Sequence, residues 1–299
     1  MNMMRSIDVT NLTPFNGLNK GNVEQFLEDE NIGERKSKEV FTPDDWSVAI
    51  LKAVLKILSE KFDKKGRKIS LLEVGVGSGI NLKFLLKNCK DKINKLFGTD
   101  LIQEAIADTE KTIEGLNNDE KCELILSNLL ESIPKKVLEI VDFMYACIPQ
   151  VILPEGAERP HDYYAHYYDR KEFNSFIYNK FGFGLLEKYI SQSSVNAPGV
   201  DLVMNVSGRI NKSIINSMFE NYGYKAEYVY DKIIPQCAET ELGMYVELEK
   251  ENKTSVGDFY EDLEGKNKIT AEQAEKRRKE NMPVFHRMYV VKGVPKNTN

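Results

Sequence analysis

The sequence contains few of the residues that usually build disulfide frameworks or metal sites. Its 299 residues include only four cysteines and three histidines. No two cysteines stand in a C-x-x-C spacing, and no two histidines lie four residues apart on a helical face. These spacings argue against a disulfide framework and a zinc site, so free, buried thiols and no bound metal are expected.

Long apolar runs are also missing. No stretch approaches 18 consecutive apolar residues, the length that a membrane-spanning helix needs. Residues 1–21 lack the apolar segment of a secretory signal. From these features we expect a cytosolic protein that does not act at a membrane.

The charge balance excludes a broad phosphate-binding surface. The chain carries 41 Lys+Arg and 46 Asp+Glu, a formal net charge of −5. A protein that binds nucleic acid through many phosphate contacts needs an excess of positive charge, so we expect a small-molecule partner and no nucleic acid. Homo-oligomer formation stays open.

What the chain does contain is enough apolar material for a large core, since hydrophobic residues make up 41% of it. No linker rich in Pro, Gly or Ser divides it. We predict one compact unit with two parts, an N-terminal arm and lid helix (1–63) and an α/β domain (64–299). The helix is expected to begin at Asp44 or Asp45.

From residue 69 onward, short apolar runs alternate with helical patterns. This alternation predicts a doubly wound, mostly parallel sheet. The predicted strands are 69–74, 95–99, 122–126, 141–147, 200–206, 225–234, 244–248 and 284–291. The predicted helices of this part are 80–88, 101–116, 172–192, 210–222 and 270–280.

A glycine-rich turn, LLEVGVGSG at 71–79, joins the first strand to the next helix. Gly75, Gly77 and Gly79 allow a sharp turn and a close backbone approach to a ligand beside the positive end of a helix. Taken by themselves, the three glycines could equally form a tight structural turn that binds no ligand. The position three residues beyond Gly77 is not glycine, so the full dinucleotide fingerprint is not met.

Two acidic residues favour S-adenosylmethionine as the ligand of this turn. Glu73 precedes the first glycine where dehydrogenases usually have an apolar residue, and Asp100 ends the next strand, placed to accept both ribose hydroxyls. Asn128, after the third strand, is the candidate for the adenine, although an Asx turn explains it as well. The apolar neighbours expected to contact the cofactor are Leu101 and Leu129.

The segment YACIPQV at 145–151 follows the fourth strand, at the edge of the sheet where doubly wound folds place their chemistry. Methyltransferases that act on amino or amide nitrogen have Asn or Asp followed by Pro-Pro and an aromatic residue here. This chain has Cys147, Ile148, Pro149 and Gln150 instead, which argues against a nitrogen acceptor.

At these residues the sequence resembles the methyltransferase domain of methionine S-methyltransferases, which make S-methylmethionine in plants and some bacteria. The resemblance extends over residues 40–292. The residues that carry it are Phe41, Pro43, Asp45, Trp46 and Ser47, the glycine turn, CIPQ at 147–150, FGFGL at 181–185, Asn205, Gly208 and Arg209, and VELE at 246–249.

The resemblance implies a Rossmann-like class I methyltransferase fold with a seven-stranded sheet and an N-terminal helical extension. It also implies S-adenosylmethionine as the cofactor and the thioether sulfur of methionine as the acceptor. The chain matches only the methyltransferase part of the plant enzymes, as in a short bacterial form.

The predicted chemistry needs positioning rather than a base, because a thioether loses no proton on methylation. The sulfur must lie about 3–3.5 Å from the methyl carbon, and aromatic faces tolerate the cationic product. Arg209 is expected to bind the acceptor carboxylate with its two-point fork, with Arg170 as a weaker candidate. A surface salt bridge of Arg209 and a packing role for the tyrosines stay open.

The residues expected around the acceptor come from three parts of the chain. Those nearest the reacting atoms are Cys147, Pro149, Gln150, Tyr168, Phe181 and Arg209, of which Cys147 also contacts the cofactor. Those that bind the acceptor are Tyr163, Tyr164, Tyr167, Asn205 and Arg209. Trp46, the only tryptophan, is expected either to cover the cofactor or to fill the core.

Three other functions remain open from the sequence. The first is a lyase or cyclase that consumes S-adenosylmethionine, for example to form azetidine-2-carboxylate. The second is a methyltransferase for another small amino acid or a protein amide, which the CIPQ segment disfavours. The third is a binding module that only senses S-adenosylmethionine.

Overall fold

The computed structural model describes residues 23–29, 45–117, 120–153, 156, 166–237, 240–253 and 255–296. Its strands are β1 (Ile69–Val74), β2 (Ile93–Asp100), β3 (Cys122–Leu126), β4 (Phe143–Ala146), β5 (Val151–Ile152), β6 (Tyr167–Tyr168), β7 (Asp201–Ser207), β8 (Tyr224–Pro235), β9 (Phe259–Tyr260), β10 (Lys268–Ile269) and β11 (Phe285–Pro295).

Nine α-helices are described. They are α1 (Val23–Asp29), α2 (Asp45–Lys65), α3 (Ile80–Asn88), α4 (Gln103–Ile113), α5 (Lys135–Leu138), α6 (Gly184–Asn196), α7 (Lys212–Asn221), α8 (Gly243–Asn252) and α9 (Ala271–Lys279).

The central sheet has the order β10-β9-β11-β7-β4-β1-β2-β3, and β8 pairs with β11 beyond this path. Strands β3, β2, β1, β4 and β7 are parallel, whereas β11 runs antiparallel to β7, β8 and β9. The parallel strands follow from the helical crossovers between them. The order reverses at β1, so the carboxyl ends of β1, β2, β4 and β7 surround one crevice, the usual ligand position in open α/β sheets.

The predicted number of seven strands is wrong, because the sheet has nine. The two additional pairings are short: β9 extends along β11 past the end of β7, and β10 pairs with β9. Two-residue strands carry no readable alternation, so the sequence pattern did not reveal them. β5 and β6 form a separate parallel pair.

The strand predicted at 244–248 is instead part of α8. Tyr245 and Leu248 are its buried residues, three positions apart, which is helical rather than alternating spacing. The helix predicted at 172–192 is likewise divided: two 3-10 helices, Arg170–Phe173 and Ile177–Phe181, precede α6. Gly182, with φ of 82°, ends the second of them in a left-handed conformation.

Apolar residues cover both faces of the sheet. Helix α2 covers one face and has nine buried residues, including Ile50, Leu51 and Leu58. These three residues belong to one apolar cluster with Phe143 and Tyr145 of β4. On the other face α6 and α7 pack against Leu72, Met144 and Met204. Helix α2 is therefore part of the layered core. Most of it lies in the predicted N-terminal part, residues 1–63.

No helix among the described residues is both long and apolar enough to cross a bilayer. The described residues also contain no group of three His, Cys, Asp or Glu side chains placed to hold a metal ion.

Candidate active site

The glycine turn between β1 and α3 is fixed against the end of β2. Gly75, Gly77 and Gly79 all have positive φ, at 81°, 52° and 74°, a region that residues with a Cβ avoid. The N–H of Gly75 and the N–H of Val76 both donate to the carbonyl of Thr99, at 2.7 and 3.1 Å. The turn is thus held in one conformation at the carboxyl edge of the sheet.

The third glycine differs from the other two in its surroundings. A Cβ on Gly79 would lie 2.7 Å from Cγ2 of Thr109 on α4. Gly75 and Gly77 line the adjoining cavity and Gly79 does not. Its small size allows α3 and α4 to pack closely, which is a structural role.

Asp100 lies at the end of β2 and orders the turn. Its carboxylate accepts a hydrogen bond from the N–H of Gly77 at 3.0 Å and another from the N–H of Ile102 at 3.0 Å. Burial raises the pKa of Asp100, while these backbone donors lower it. A carboxylate oxygen can accept more than one hydrogen bond. Both oxygens of Asp100 can therefore also accept from hydroxyl groups of a ligand.

A cavity that is partly open to solvent lies over these residues, at the carboxyl edge of the sheet where open α/β folds bind their ligands. The predicted residues that line it are Gly75, Gly77, Asp100, Leu101, Asn128, Leu129, Cys147, Pro149, Tyr167 and Tyr168. The lining residues that the sequence did not single out are Val74, Ile102, Ala105, Ser127, Ile148, Glu172, Phe173, Leu185 and Lys188.

Glu73 does not line this cavity. Its side chain is 1% exposed and accepts hydrogen bonds from Asn81 at 2.8 Å and from the Tyr145 hydroxyl at 3.0 Å. Burial raises the pKa of Glu73 to about 8. The structure therefore places Glu73 in a buried network beneath the glycine turn rather than beside a ligand.

The CIPQ segment is attached to the end of β7. Gln150 is buried; its amide donates to the carbonyl of Asn205 at 3.1 Å and accepts from the N–H of Ser207 at 2.8 Å. The Asn205 amide donates to Sγ of Cys147 at 3.2 Å and to the carbonyl of Trp46 at 2.8 Å. Gln150 thus positions the segment, and Cys147 connects the cavity with the end of β7.

Arg209 follows β7 and is only 4% exposed. Its Nε donates to Oγ of Ser207 at 2.7 Å, and its guanidinium lies 5.6 Å from the ring centre of Tyr245 on α8. No carboxylate within the described parts of the chain pairs with it. A surface salt bridge, the alternative that the sequence left open, does not describe this buried side chain.

The backbone around Arg209 is closely packed. The N–H of Gly208 donates to the carbonyl of Arg287 at 2.7 Å, and the N–H of Asp258 donates to the carbonyl of Gly208 at 2.7 Å. A Cβ on Gly257 would lie 2.2 Å from the carbonyl oxygen of Arg209. The sequence did not single out Gly257, because its neighbour Arg209 lies far away along the chain.

The predicted aromatic residues divide between cavity and core. Tyr167 and Tyr168 line the cavity, and the Tyr168 hydroxyl donates to Asn179 at 3.1 Å. Phe181 packs in the core and does not line the cavity. Tyr163 and Tyr164 lie outside the described residues, as do Phe41 and Pro43.

Trp46 lies at the start of α2, next to Asn205 of β7 and His286 of β11. It packs against the apolar cluster under α2, and its ring is 6.0 Å from that of His286. It is not among the residues that line the cavity. Arg170, the weaker candidate for the carboxylate, begins a 3-10 helix and is exposed.

Sequence reasoning missed Tyr245 and His286. Tyr245 was predicted to lie in a strand at 244–248, and that prediction gave no contact with Arg209. His286 was noted only as one of three isolated histidines, and its place next to Trp46 arises from the pairing of β11. Only the helical spacing of Tyr245 and Leu248 gave a usable signal.

The fold and the cavity together define the class. Parallel strands in the order β3-β2-β1-β4-β7, followed by an antiparallel β11, give a Rossmann-like fold of the methyltransferase type with a cavity at its switch point.

Comparison with known proteins confirms the resemblance found in the sequence: the chain is similar to methionine S-methyltransferases. It is 24% identical to that of Zea mays over 279 residues, which cover 84% of this chain and 25% of the maize protein. The identity with the Hordeum vulgare protein is 25% over 259 residues, 79% of this chain and 23% of that one. The chain thus spans about a quarter of the length of these relatives. No family model matches the chain.

Solved structures align more weakly. The methyltransferase domain of bacterial CtHen1 gives a TM-score of 0.41 at 10% identity, over 82% of this chain and 99% of that one. A ribosomal-protein methylase from Lactobacillus delbrueckii subsp. bulgaricus gives 0.40 at 12% identity, over 67% and 77%. The fold is therefore assigned from the sheet order of the chain itself.

Proposed function

We propose that this chain is an S-adenosylmethionine-dependent methyltransferase whose acceptor is the thioether sulfur of L-methionine, with S-methylmethionine as product. The observation that carries the acceptor is the buried Arg209 guanidinium, which has no carboxylate partner among the described residues. Arg209 follows the strand whose Asn205 contacts Cys147, a residue that lines the cavity. The named methionine S-methyltransferases support the same acceptor.

The cavity residues fit S-adenosylmethionine. Asp100 has acceptor capacity for two ribose hydroxyls. Gly75 and Gly77 line the cavity without a side chain, which allows a ligand to approach their backbone closely. The adenine would lie between Leu101, Asn128 and Leu129. When bound, S-adenosylmethionine supplies an electrophilic methyl group on a sulfonium.

Arg209 gives a reason for an amino-acid acceptor. A guanidinium without an anion is costly to bury, because it loses its hydration and gains no opposite charge. An α-carboxylate would receive two parallel hydrogen bonds from its planar fork. The Tyr245 ring against one face of the guanidinium favours a fixed orientation for that fork.

Positioning and water exclusion are the remaining tasks of the chain. A thioether is neutral and loses no proton when methylated, so no general base is required. Pro149, Tyr167 and Tyr168 border the cavity near Cys147 and limit access of water to the sulfonium. Gln150 fixes the distance between the cavity and the strand that carries Asn205 and Arg209.

Product analysis tests the proposal. The purified protein is incubated with S-adenosylmethionine, with and without L-methionine, and the products are identified by mass. We expect S-adenosylhomocysteine and S-methylmethionine in equal amounts, and only when methionine is present. Methylthioadenosine without methyl transfer would instead identify a lyase or cyclase, and an unchanged cofactor would leave only a binding module.

A further inference from the structure

His286 has two buried nitrogens without a hydrogen-bond partner among the described residues. The residue lies near the start of β11 and is 3% exposed. Neither Nδ1 nor Nε2 has a partner in the described part of the chain. Buried polar atoms are almost always hydrogen-bonded, and two unpaired nitrogens on one ring need an explanation. A ligand that supplies the partner is one.

Strand pairing places His286 close to Arg209. In the β7–β11 register, Asn205 faces Val290 and Ser207 faces Met288. The N–H of Gly208 donates to the carbonyl of Arg287 at 2.7 Å, which holds their chain neighbours Arg209 and His286 near each other. Beyond this bond β9 takes the place of β7, and His286 pairs with Phe259.

Trp46 connects His286 with a second buried atom, on Asn205. Oδ1 of Asn205 is buried without a partner among the described residues, while its Nδ2 is used by Trp46 and Cys147. The ring of Trp46 is 6.0 Å from that of His286. We define Cys147, Asn205, Arg209 and His286 as the acceptor-side cluster. Within the described chain, its Arg209 has no carboxylate partner, and Asn205 Oδ1 and the His286 nitrogens have no hydrogen-bond partner.

The charge state of His286 suits an acceptor of hydrogen bonds. Burial, with the positive charge of Arg209, holds the pKa of His286 well below its usual value. The imidazole is therefore neutral, and one of its two ring nitrogens carries a free lone pair. A neutral ring also avoids a second positive charge beside Arg209.

We propose that His286 and Oδ1 of Asn205 bind the α-ammonium group of the acceptor amino acid whose α-carboxylate Arg209 holds. The inference rests on the proposed function. An ammonium group has three N–H donors and no acceptor, which matches a ring nitrogen and an amide oxygen that both lack a donor. The cluster then distinguishes an α-amino acid from a thioether acid without the amino group.

A pair of substrates tests this assignment. L-Methionine and 4-(methylthio)butanoate share the thioether and the carboxylate, and only methionine has the amino group. For the wild-type protein we expect kcat/KM for methionine to exceed that for the analogue by about a hundredfold. His286→Leu should lower kcat/KM for methionine more than tenfold, leave the analogue within about threefold, and leave cofactor affinity unchanged.

Tyr224→Phe is the matched control. The Tyr224 hydroxyl is also buried without a partner among the described residues, but it lies at the start of β8. This variant should keep the preference for methionine. Equal losses on both substrates in His286→Leu would show that His286 only supports the fold and would overturn the inference.

A measurement on the unmodified side chain covers the case in which His286→Leu does not fold. The chain has three histidines, so their ring ¹⁵N signals are resolved by His161→Gln and His166→Gln variants. Methionine added to the complex with S-adenosylhomocysteine should shift the His286 signals, whereas the analogue should not. Absence of that difference would overturn the inference. A wild-type protein that does not methylate methionine would instead overturn the proposed function, and the inference with it.

Discussion

Arg209 is the residue on which the choice of acceptor depends. Arg209→Lys keeps the charge but loses the planar fork, so one of two parallel bonds to a carboxylate is lost. We expect kcat/KM for methionine to fall about ten- to over a hundredfold, as ~1.5–3 kcal/mol for a charged hydrogen bond implies. Steady-state kinetics measures this, and calorimetry should show nearly unchanged cofactor affinity.

The control for this prediction is Arg278→Lys. Arg278 makes two hydrogen bonds to Glu275 on α9, at 2.7 and 2.9 Å, away from the cavity. Its replacement should leave both constants within about twofold, because neither Arg278 nor Glu275 lines the cavity. If Arg209→Lys instead abolishes cofactor binding, Arg209 belongs to the carboxylate of the cofactor and the acceptor assignment is wrong.

Asp100 is the residue on which cofactor binding depends. Asp100→Ala removes the acceptors for the ribose and also the bonds that hold Gly77 and Ile102. We expect S-adenosylmethionine affinity to fall by about one to two orders of magnitude, since charged hydrogen bonds contribute ~1.5–3 kcal/mol. Calorimetry measures this, and Asp108→Ala, an ion-paired residue of α4, should change little. Unchanged affinity in Asp100→Ala would disprove the assignment.

Glu73 predicts a particular pH dependence of stability. Its pKa is raised from 4.5 to about 8 in the folded chain, so between these values the folded state binds one more proton than the unfolded state. The free energy of unfolding therefore falls as pH rises from about 4.5 to 8, by up to about 1.4 kcal/mol for each pH unit.

Glu73→Gln should remove this dependence, because a glutamine stays neutral over the same range. Urea unfolding at pH 5.5 and pH 8 measures the difference, and Glu110→Gln, at an exposed position of α4, is the control that should retain the wild-type slope. Identical slopes in the wild type and Glu73→Gln would mean that Glu73 is ionised in its buried network.

At the scale of elements, the junction of β7, β9 and β11 builds the surroundings of Arg209. Gly257→Ala would place a Cβ 2.2 Å from the Arg209 carbonyl oxygen, which the backbone relieves only by moving. We expect a loss of stability of roughly 1–3 kcal/mol from overpacking, together with a raised KM for methionine. Thermal unfolding and kinetics measure the two effects.

Gly243→Ala is the control at the element scale. It begins α8, and an added Cβ there meets nothing within 4 Å, so it should preserve or slightly increase stability. If Gly257→Ala behaves in the same way, the three-segment junction does not fix the position of Arg209.

The sequence predicted the parallel strands and the two long antiparallel strands, β8 and β11, but not the short elements between those two. β1 and β3 agree with their predicted bounds, because each is a short apolar run between turn residues. The region 240–270 was misread, since α8 combines few apolar residues with many charged ones and β9 and β10 have two residues each. These elements form through contacts with distant segments rather than from local propensity.

At the scale of the whole molecule, α2 decides whether 64–299 is an independent domain. The helix covers one sheet face with nine buried residues, among them Ile50, Val54 and Leu58. A chain that begins at residue 64 would expose that face, so we expect it to lack a cooperative thermal transition and to aggregate. Calorimetry and light scattering measure this. A truncated chain that folds and binds S-adenosylmethionine would show that the predicted boundary at 63/64 is real.

The cofactor side of the candidate site could be predicted more fully than the acceptor side. Gly75, Gly77 and Asp100 come from two consecutive β-α units, and the topology of a parallel sheet brings the ends of adjacent strands together. The acceptor-side cluster joins residues from positions 147 to 286, and Tyr245 reaches Arg209 from a helix that the sequence did not predict. Chemical type and the family resemblance suggested Arg209, whereas its burial and its lack of a carboxylate partner among the described residues came from packing.

The sequence by itself determined the alternation of strands and helices, the glycine turn, the acidic residue after β2 and the resemblance to methionine S-methyltransferases. Local periodicity and motif spacing encode these features. Only the tertiary structure decided that Glu73 is buried away from the cavity, that Gly79 serves helix packing, and that His286 lies close to Arg209. Burial and register arise from contacts between segments far apart in the chain, and no local pattern records them.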